Sequence, residues 1–327
     1  MTTRPSRAGV RLGLLAVALS LVAVGCGGES DEGTPALSAG EPLGEGGTLV
    51  WAVADRVERI DPLTATTRSE QLVSRQVHEP LIAALAGPFG DTRRVPGLAR
   101  RARPSGDASL WTLRLRSGVR FQNGEPFNAD AVVANAERWL ASVEGRELLP
   151  GVVDVFAPRF DVVRFLLAAP DPLFDNRLAA PELGIVAPRA LRVAARRAAA
   201  FDREIGTGTG PFELRERTPN RLLLARNTSW WGATGSVDLG PALEQIEFRV
   251  QPSSAVRLAL LDAGDVELAD ELVASQADQA LADPLLNALR GADGLWLGLS
   301  RAVRGIDSAR EIPSLSRAWL TNVTVAD

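Results

Sequence analysis

The chain has 327 residues, enough for about two domains of ~150 residues, and its 40 acidic residues outnumber its 36 basic ones to give a formal net charge of −4. This balance argues against a nucleic-acid-binding protein, and the absence of lysine excludes a phosphate-loop lysine and a Schiff-base lysine. One cysteine and one histidine exclude an intrachain disulfide and a four-ligand zinc site made of these residues.

The first 26 residues have the layout of an export signal. Three arginines precede an uncharged run, Leu12 to Val24, which at about 13 residues is too short to cross a bilayer. The run ends next to the only cysteine, so the segment resembles a bacterial lipoprotein signal in which Cys26 would become the lipid-modified N-terminal residue. The alternative is ordinary export with Cys26 removed or left free. Either way, an extracytoplasmic protein is expected.

Residues 27–46 are predicted to be a flexible linker. They consist of Gly, Ser, Pro, Ala, Thr, Leu and acidic residues without an aromatic side chain, and such a composition does not fold alone. A flexible chain of this length spans roughly 25 Å. The linker would therefore keep a folded domain close to the membrane if Cys26 carries lipid.

The remaining chain predicts a mixed α/β (α+β) fold. Apolar runs and alternating patterns predict strands at Thr48–Ala54, Leu110–Arg116, Val162–Leu167, Phe212–Leu214, Arg221–Ala225 and Ile246–Val250. Apolar residues at helical spacing predict helices at Ser69–Leu81, Ala129–Val143, Pro188–Phe201 and Ser254–Ala263, with Asn128 as an N-cap and Gly264 as a stop. Strands and helices alternate irregularly and no internal repeat is visible.

No catalytic constellation is found, so the chain is not expected to be an enzyme and no cofactor or metal is predicted. His78 lies in a helical pattern and no G-x-S-x-G motif accompanies it, which favours a structural histidine over a base. A glycosidase pair among the abundant carboxylates, for example Asp262 with Asp265, remains a weaker alternative. Gly208 and Gly210 resemble a phosphate loop, but the chain continues into a strand, so they are interpreted as a tight backbone passage.

The tryptophans divide into two groups. Trp51, Trp111 and Trp139 lie on apolar faces of predicted elements and are expected in the core. Trp230 and Trp231 follow a polar loop, where either one ring is buried and one exposed, or a ring contacts a ligand.

A set of motifs runs in order through residues 47–270. Its members are Gly47–Ala52 with Ile60–Pro62, Val77–Leu81, Pro96–Ala99, Trp111–Val132, Gly208–Phe212, Asn227–Trp231 and Ile246–Leu268. Together they resemble the extracellular solute-binding proteins of family 5, the oligopeptide- and dipeptide-binding components of ABC importers. Family members usually have Tyr in place of His78 and Gly in place of Pro80.

The resemblance implies the first lobe of a type II periplasmic-binding-protein-like fold, with a ligand held between two hinged lobes. It implies a solute-binding lobe at residues 47–291, with an inserted subdomain at about 82–190. Only about 57 residues follow Asp270, so the second lobe is expected to be truncated or deleted. Residues 295–300 would then either enter that lobe or, as we expect, belong to a C-terminal closing segment at 292–327.

The expected function is a lipid-anchored substrate-binding protein of a peptide-type ABC importer, with weakened capture of a peptide or other small solute. Its expected partners are that solute, the permease subunits and, through lipid, the outer face of the cell membrane, but not nucleic acid. The alternative is a non-transporting surface lipoprotein that acts as a protein-interaction module. The motif match predicts these ligand-binding residues: Asp61, Gly208, Thr209, Gly210, Phe212, Trp230 and Trp231.

Overall fold

The computed structural model describes residues 46–86, 92–196, 207–234, 241–291, 296–300, 303–304, 311–312 and 324–325. The predicted signal with Cys26, residues 27–45 of the predicted linker and most of the predicted closing segment lie outside the described residues. Among the described residues, no helix is both long and apolar enough to cross a membrane.

Strands and helices alternate along the described chain. The strands are β1 Thr48–Val53, β2 Ile82–Ala86, β3 Thr92–Pro96, β4 Ala99–Pro104, β5 Leu110–Leu115, β6 Val152–Arg159, β7 Val162–Leu167, β8 Phe212–Arg217, β9 Arg221–Arg226, β10 Gln245–Val250, β11 Leu268–Leu272, β12 Leu286–Gly291, β13 Trp296–Ser300, β14 Val303–Arg304, β15 Glu311–Ile312 and β16 Thr324–Val325. The helices are α1 Arg68–Val77, α2 Ala129–Ala141, α3 Val143–Leu148, α4 Phe174–Arg177, α5 Pro188–Arg196, α6 Ser254–Asp262 and α7 Ala274–Ala282, with 3₁₀ turns at Pro181–Leu183 and Trp231–Thr234.

The main sheet has eight strands in the order β15-β12-β13-β11-β1-β10-β9-β8. Its central strand β1 runs parallel to both neighbours, β10 and β11, and its Trp51 lies opposite Phe248 on one side and Leu268 on the other. The Trp51 and Phe248 rings stack at 5.6 Å. A strand with neighbours on both sides and helices nearby is buried, which explains the apolar sequence of β1.

A second, antiparallel sheet of four strands has the order β4-β5-β7-β6. Its inner face carries Trp111, Leu113 and Phe165, all buried, and α2 packs against its strands β6 and β7 with Trp139 in the same core. The alternation of buried and exposed residues in β5 is what the sequence predicts for a half-buried strand.

Most predicted elements are present, with differences at helix ends. The helical pattern at 69–81 is predicted to stop at Pro80, whereas α1 already ends at Val77, because His78 has an extended backbone (φ −113°, ψ 148°) and Glu79 joins a β-bridge with Ile185. The second was placed as one helix to Val143, but α2 ends at Ala141. Ser142 interrupts it, since its hydroxyl accepts the Gly145 amide and so caps α3.

The sequence patterns do not predict several of the strands, among them β2, β3, β4, β6, β11 and β12. The sequence of β4, Ala-Arg-Arg-Ala-Arg-Pro, has no apolar alternation, since it is an edge strand whose outward residues face solvent. Strand β13 pairs antiparallel with both β11 and β12. Residues 296–300 therefore lie within the main sheet.

Candidate functional site

The loop before α1 is held by a capping box. Thr67 accepts the Glu70 amide through its hydroxyl, and the buried Glu70 carboxylate accepts the backbone amides of Thr67, Thr66 and Arg59 at 2.9–3.2 Å. One carboxylate thus fixes three points of the segment 59–67. This loop forms one wall of a cleft.

Asp61 connects this loop to α2. Its Oδ1 accepts the Leu63 amide at 3.1 Å, its backbone carbonyl accepts the amides of Thr64 and Ala65, and its Oδ2 forms an ion pair with Arg138. Asp61 is only 5% exposed, so the pair is largely shielded from water. Arg138 belongs to α2, the helix that packs on the second sheet, and Asp61 belongs to the loop before α1. The ion pair therefore connects this loop to the helix of the second sheet.

The cleft has a volume of about 1090 Å³ and lies between this loop, α2 and α5. Its lining includes three arginines, four acidic residues and several apolar residues: Arg59, Arg138, Arg192, Glu58, Asp61, Glu137, Glu144, Leu63, Pro188, Leu191, Ala134, Ala194 and Ala195. Both signs of charge beside apolar surface suit a small ligand that carries an ammonium and a carboxylate. Nη1 of Arg138 has no hydrogen-bond partner among the described residues.

A second charged group lies at the carboxyl end of the parallel strands. Asp270 in β11 is 1% exposed, and its two carboxylate oxygens accept hydrogen bonds from the Arg68 guanidinium at 2.8 and 3.1 Å. Arg68 follows the cleft-lining Thr66 by two residues. The buried Arg257 donates to the carbonyls of Asp270 and Glu271. Burial and then the Asp270 charge raise the pKa of Glu271, whose backbone has φ 53°. Ligands of open parallel sheets commonly bind at this edge.

Of the predicted ligand-binding residues, only Asp61 lines the cleft. Gly208 and Gly210 pack on the end of α1: the Gly210 amide donates to the Val77 carbonyl at 2.8 Å, and a Cβ on Gly208 would lie 1.9 Å from that same oxygen. The Gln122 side chain donates to the carbonyls of Gly210 and Phe212. The glycine segment is therefore a tight backbone passage between α1 and the turn that contains Gln122.

Thr209 and Phe212 are buried, at 1% and 0% exposure. The Thr209 hydroxyl has no hydrogen-bond partner in the described part of the chain. The neighbouring Thr207 hydroxyl lies 2.9 Å from Nε2 of His78, while Nδ1 of the ring donates to the Ser74 carbonyl at 3.3 Å. These partners fit a neutral imidazole, and burial lowers the pKa of His78 to about 4.

Trp230 and Trp231 share the carboxylate of Glu79. The indole N–H groups donate to Glu79 Oε2 at 3.4 Å and 2.8 Å respectively, and Glu79 is 1% exposed. The Arg116 guanidinium lies 4.1 Å above the Trp231 ring, a cation–π contact. Trp230 is buried and Trp231 is half-buried. The pair packs internally, and a ligand contact for it stays a prediction, as it does for the glycine segment, Thr209 and Phe212.

The sequence analysis did not single out the other cleft residues, among them Arg59, Glu137, Arg138 and Arg192. Each lies on a helix or loop surface, where a charged side chain is ordinarily solvent-facing. The available signal was Asp61 in its motif together with Arg138 in the predicted helix Ala129–Val143. Such a signal needs the tertiary contact to become meaningful.

Comparison with known proteins shows relationships over most of the chain. The family model described as bacterial extracellular solute-binding proteins, family 5 Middle, matches residues 93–312. The nickel-binding periplasmic protein of Escherichia coli K12 is 30% identical over 231 residues, which cover 68% of this chain and 40% of the relative. The glutathione-binding protein GsiB of the same strain is 27% identical over 70% of this chain and 43% of its own length.

Solved structures show the same fold at low sequence identity. The periplasmic binding protein DppA from Helicobacter pylori in complex with the peptide STSA has a TM-score of 0.63 at 21% identity, over 75% of this chain and 50% of that one. The oligopeptide-binding protein AppA from Bacillus subtilis in complex with a nonapeptide has a TM-score of 0.65 at 20% identity, over 76% of this chain and 48% of that one. This chain spans less than half the length of the curated relatives. The mixed α/β fold, the ordered motifs and the match of the family model to residues 93–312 together show that the chain belongs to the bacterial extracellular solute-binding proteins of family 5.

Proposed function

We propose that this chain is the substrate-binding component of a peptide-type ABC importer, and that it captures a peptide or another small solute for transport. The cleft between the 58–66 loop, α2 and α5 carries this proposal, because its lining combines three arginines, four carboxylates and apolar side chains. A zwitterionic ligand can satisfy charges of both signs there. The relatives in complex with the peptide STSA or a nonapeptide, and the relative named for glutathione, support this ligand class.

We propose further that residues 47–291 form one solute-binding lobe with an inserted subdomain at about 82–190, followed by a closing segment at 292–327. The described cleft is built from this one lobe. A solute bound against one lobe keeps part of its surface in water, and the unburied part contributes no hydrophobic or desolvated polar energy. We therefore expect weak peptide binding, with a dissociation constant above the micromolar range.

Titration calorimetry of the purified chain with short peptides tests the ligand proposal. Glu137→Gln removes an exposed carboxylate of the cleft, and Glu147→Gln, on α3 and outside the cleft lining, is the matched control. Loss of one exposed charge contact should weaken binding about fivefold, and only in the Glu137 variant. Equal effects of the two variants would place the ligand elsewhere, and micromolar or tighter binding would contradict the one-lobe argument.

The lipid anchor needs its own experiment, since Cys26 lies outside the described residues. Cells fed a labelled fatty acid should incorporate label into the wild-type chain and not into Cys26→Ser, and the variant should leave the membrane fraction. Label that persists in the variant would exclude Cys26 as the acceptor. Uptake of a peptide that is lost on deletion of the gene, and restored by wild type, would separate transport from a role as a surface interaction module.

A further inference from the structure

One face of the second sheet carries a concentration of positive charge. Strands β4, β5 and β7 contain five arginines and no acidic residue, although the whole chain has a net charge of −4. We call these residues the arginine face: Arg100, Arg101, Arg103, Arg114 and Arg164. Such a cluster in an acidic protein produces a local potential opposite in sign to that of the whole molecule.

The strand register places the cluster on the outer side of the sheet. Arg101 lies opposite Arg114, Arg103 lies opposite Thr112, and Thr112 lies opposite Arg164. The residues between them in β5 and β7, such as Leu113 and Phe165, point inward to the core. Arg101, Arg103 and Arg114 are exposed and Arg164 is half-buried. Like charges directly opposite each other destabilise a strand pair.

A β-bulge in β4 brings a third guanidinium to the same place. The register shifts between Ala99 and Arg101, so Arg100 is the extra residue. Arg100, Arg101 and Arg114 together line a cavity of about 280 Å³. A hollow of this size between three arginine side chains has the dimensions and charge to hold a phosphoryl group.

The arginines of this face lack ion-pair partners within the described part of the chain. Among the described residues, none of the five arginines forms an ion pair with a carboxylate. In the strand register Asp154 of β6 lies opposite Leu166 on the same side of the sheet, and Asp161, whose carbonyl accepts the Leu115 amide, pairs with Arg159. The Nε atom of Arg164 is buried, and it has no hydrogen-bond partner among the residues that the structure describes.

We propose that the arginine face docks on the headgroups of anionic phospholipids, with one phosphate held between Arg100, Arg101 and Arg114. An exposed sheet face rich in arginine fits an extended anionic surface better than a protein partner, whose binding relies on buried aromatic anchors in pockets. The exposed Leu166 on this face and Phe160 in the adjoining turn, 38% and 66% exposed, add apolar contacts of the kind that bilayer interfaces accept. The face would orient the lobe on the membrane.

Vesicle co-sedimentation tests the proposal with the full chain carrying Cys26→Ser, so that no lipid anchor contributes. Wild type is compared with a triple variant of the face, Arg101→Gln, Arg103→Gln and Arg114→Gln, on phosphatidylcholine vesicles with and without phosphatidylglycerol. The control variant removes the same charge from three exposed arginines outside the face: Arg56, Arg189 and Arg196, each changed to Gln. Circular dichroism melts check that all three proteins are folded.

Each arginine near an anionic surface improves partitioning by roughly fivefold, so the face variant should bind phosphatidylglycerol vesicles at least about tenfold more weakly than the control variant. About 0.5 M salt should remove the difference. Equal loss in both variants, or equal binding of wild type to both kinds of vesicle, would overturn the proposal. No solute is present, so failure here leaves the solute-binding proposal untouched.

Discussion

Acidification should destabilise this protein through His78, the only histidine of the chain. Burial lowers the pKa of His78 from its ordinary value of 6.5 to about 4, with the Asp61 charge a smaller, opposing effect. The unfolded chain therefore binds a proton near pH 6.5 while the folded one stays neutral. The stabilising effect is complete above pH 6.5 and is lost as the pH falls from about 6.5 to about 4.

The size of the effect follows from the difference between the two pKa values. At 1.36 kcal/mol per pKa unit, it amounts to about 3 kcal/mol of unfolding free energy between pH 6.5 and pH 4, a large part of the 5–15 kcal/mol typical of a domain. The geometry gives the reason. In the neutral ring Nδ1 donates to the Ser74 carbonyl and Nε2 accepts from the Thr207 hydroxyl, so the folded state already satisfies both nitrogens without a charge.

Urea unfolding of wild type and His78→Gln at several pH values isolates this effect, because glutamine keeps polar contacts but does not titrate. Carboxylate titrations are common to both proteins and cancel in the difference. We expect the stability difference between wild type and variant to shrink by about 3 kcal/mol over the window. Parallel pH profiles, or an imidazole NMR signal that titrates near 6.5 in the folded protein, would refute the reasoning.

Three further changes have clear structural expectations. Gly208→Ala places a Cβ against the Val77 carbonyl and should lower the unfolding free energy by about 3 kcal/mol in urea titrations, whereas Gly106→Ala, with open space around it, should change it by less than about 0.5 kcal/mol; similar values for both would contradict the close packing. Asp61→Ala leaves Arg138 without its partner and should cost about 1–3 kcal/mol in thermal unfolding, less than a fully buried pair because Arg138 is partly exposed; an unchanged Tm would show that the ion pair contributes no stability. Glu79→Ala removes the carboxylate that accepts from both indole N–H groups, and it should lower the unfolding free energy by a similar amount. Tryptophan fluorescence measures this unfolding, and unaltered emission and stability would argue against the shared hydrogen bonds.

The tryptophans predicted for the core show that a local apolar pattern can identify buried side chains. Trp51, Trp111 and Trp139 are all buried, as their positions on apolar faces indicated. The N-cap at Asn128, whose side chain accepts the Ala131 amide, is likewise confirmed. Caps, turns and apolar periodicity depend on neighbours within a few residues, so the sequence displays them directly.

The candidate site was much less predictable. Asp61 was identified from its motif, but its pairing with Arg138 and the cleft it borders join residues 77 positions apart in the chain. The same holds for Arg68, whose pairing with Asp270 bridges 202 positions. A charged residue on a helix surface looks identical in sequence whether it faces solvent or a binding cleft.

The glycine segment separates the two kinds of information most sharply. Its sequence context excluded a phosphate loop and indicated a tight passage, because the following Phe212 begins a strand. Only the packed structure revealed that Gly208 and Gly210 press against the last turn of α1, and that the nearby Phe212 is fully buried. The sequence alone thus indicated many of the helices and strands, the family and the core tryptophans, since these depend on local chemistry and motif order. The tertiary structure decided which distant charges meet, since no local pattern encodes contact across the fold.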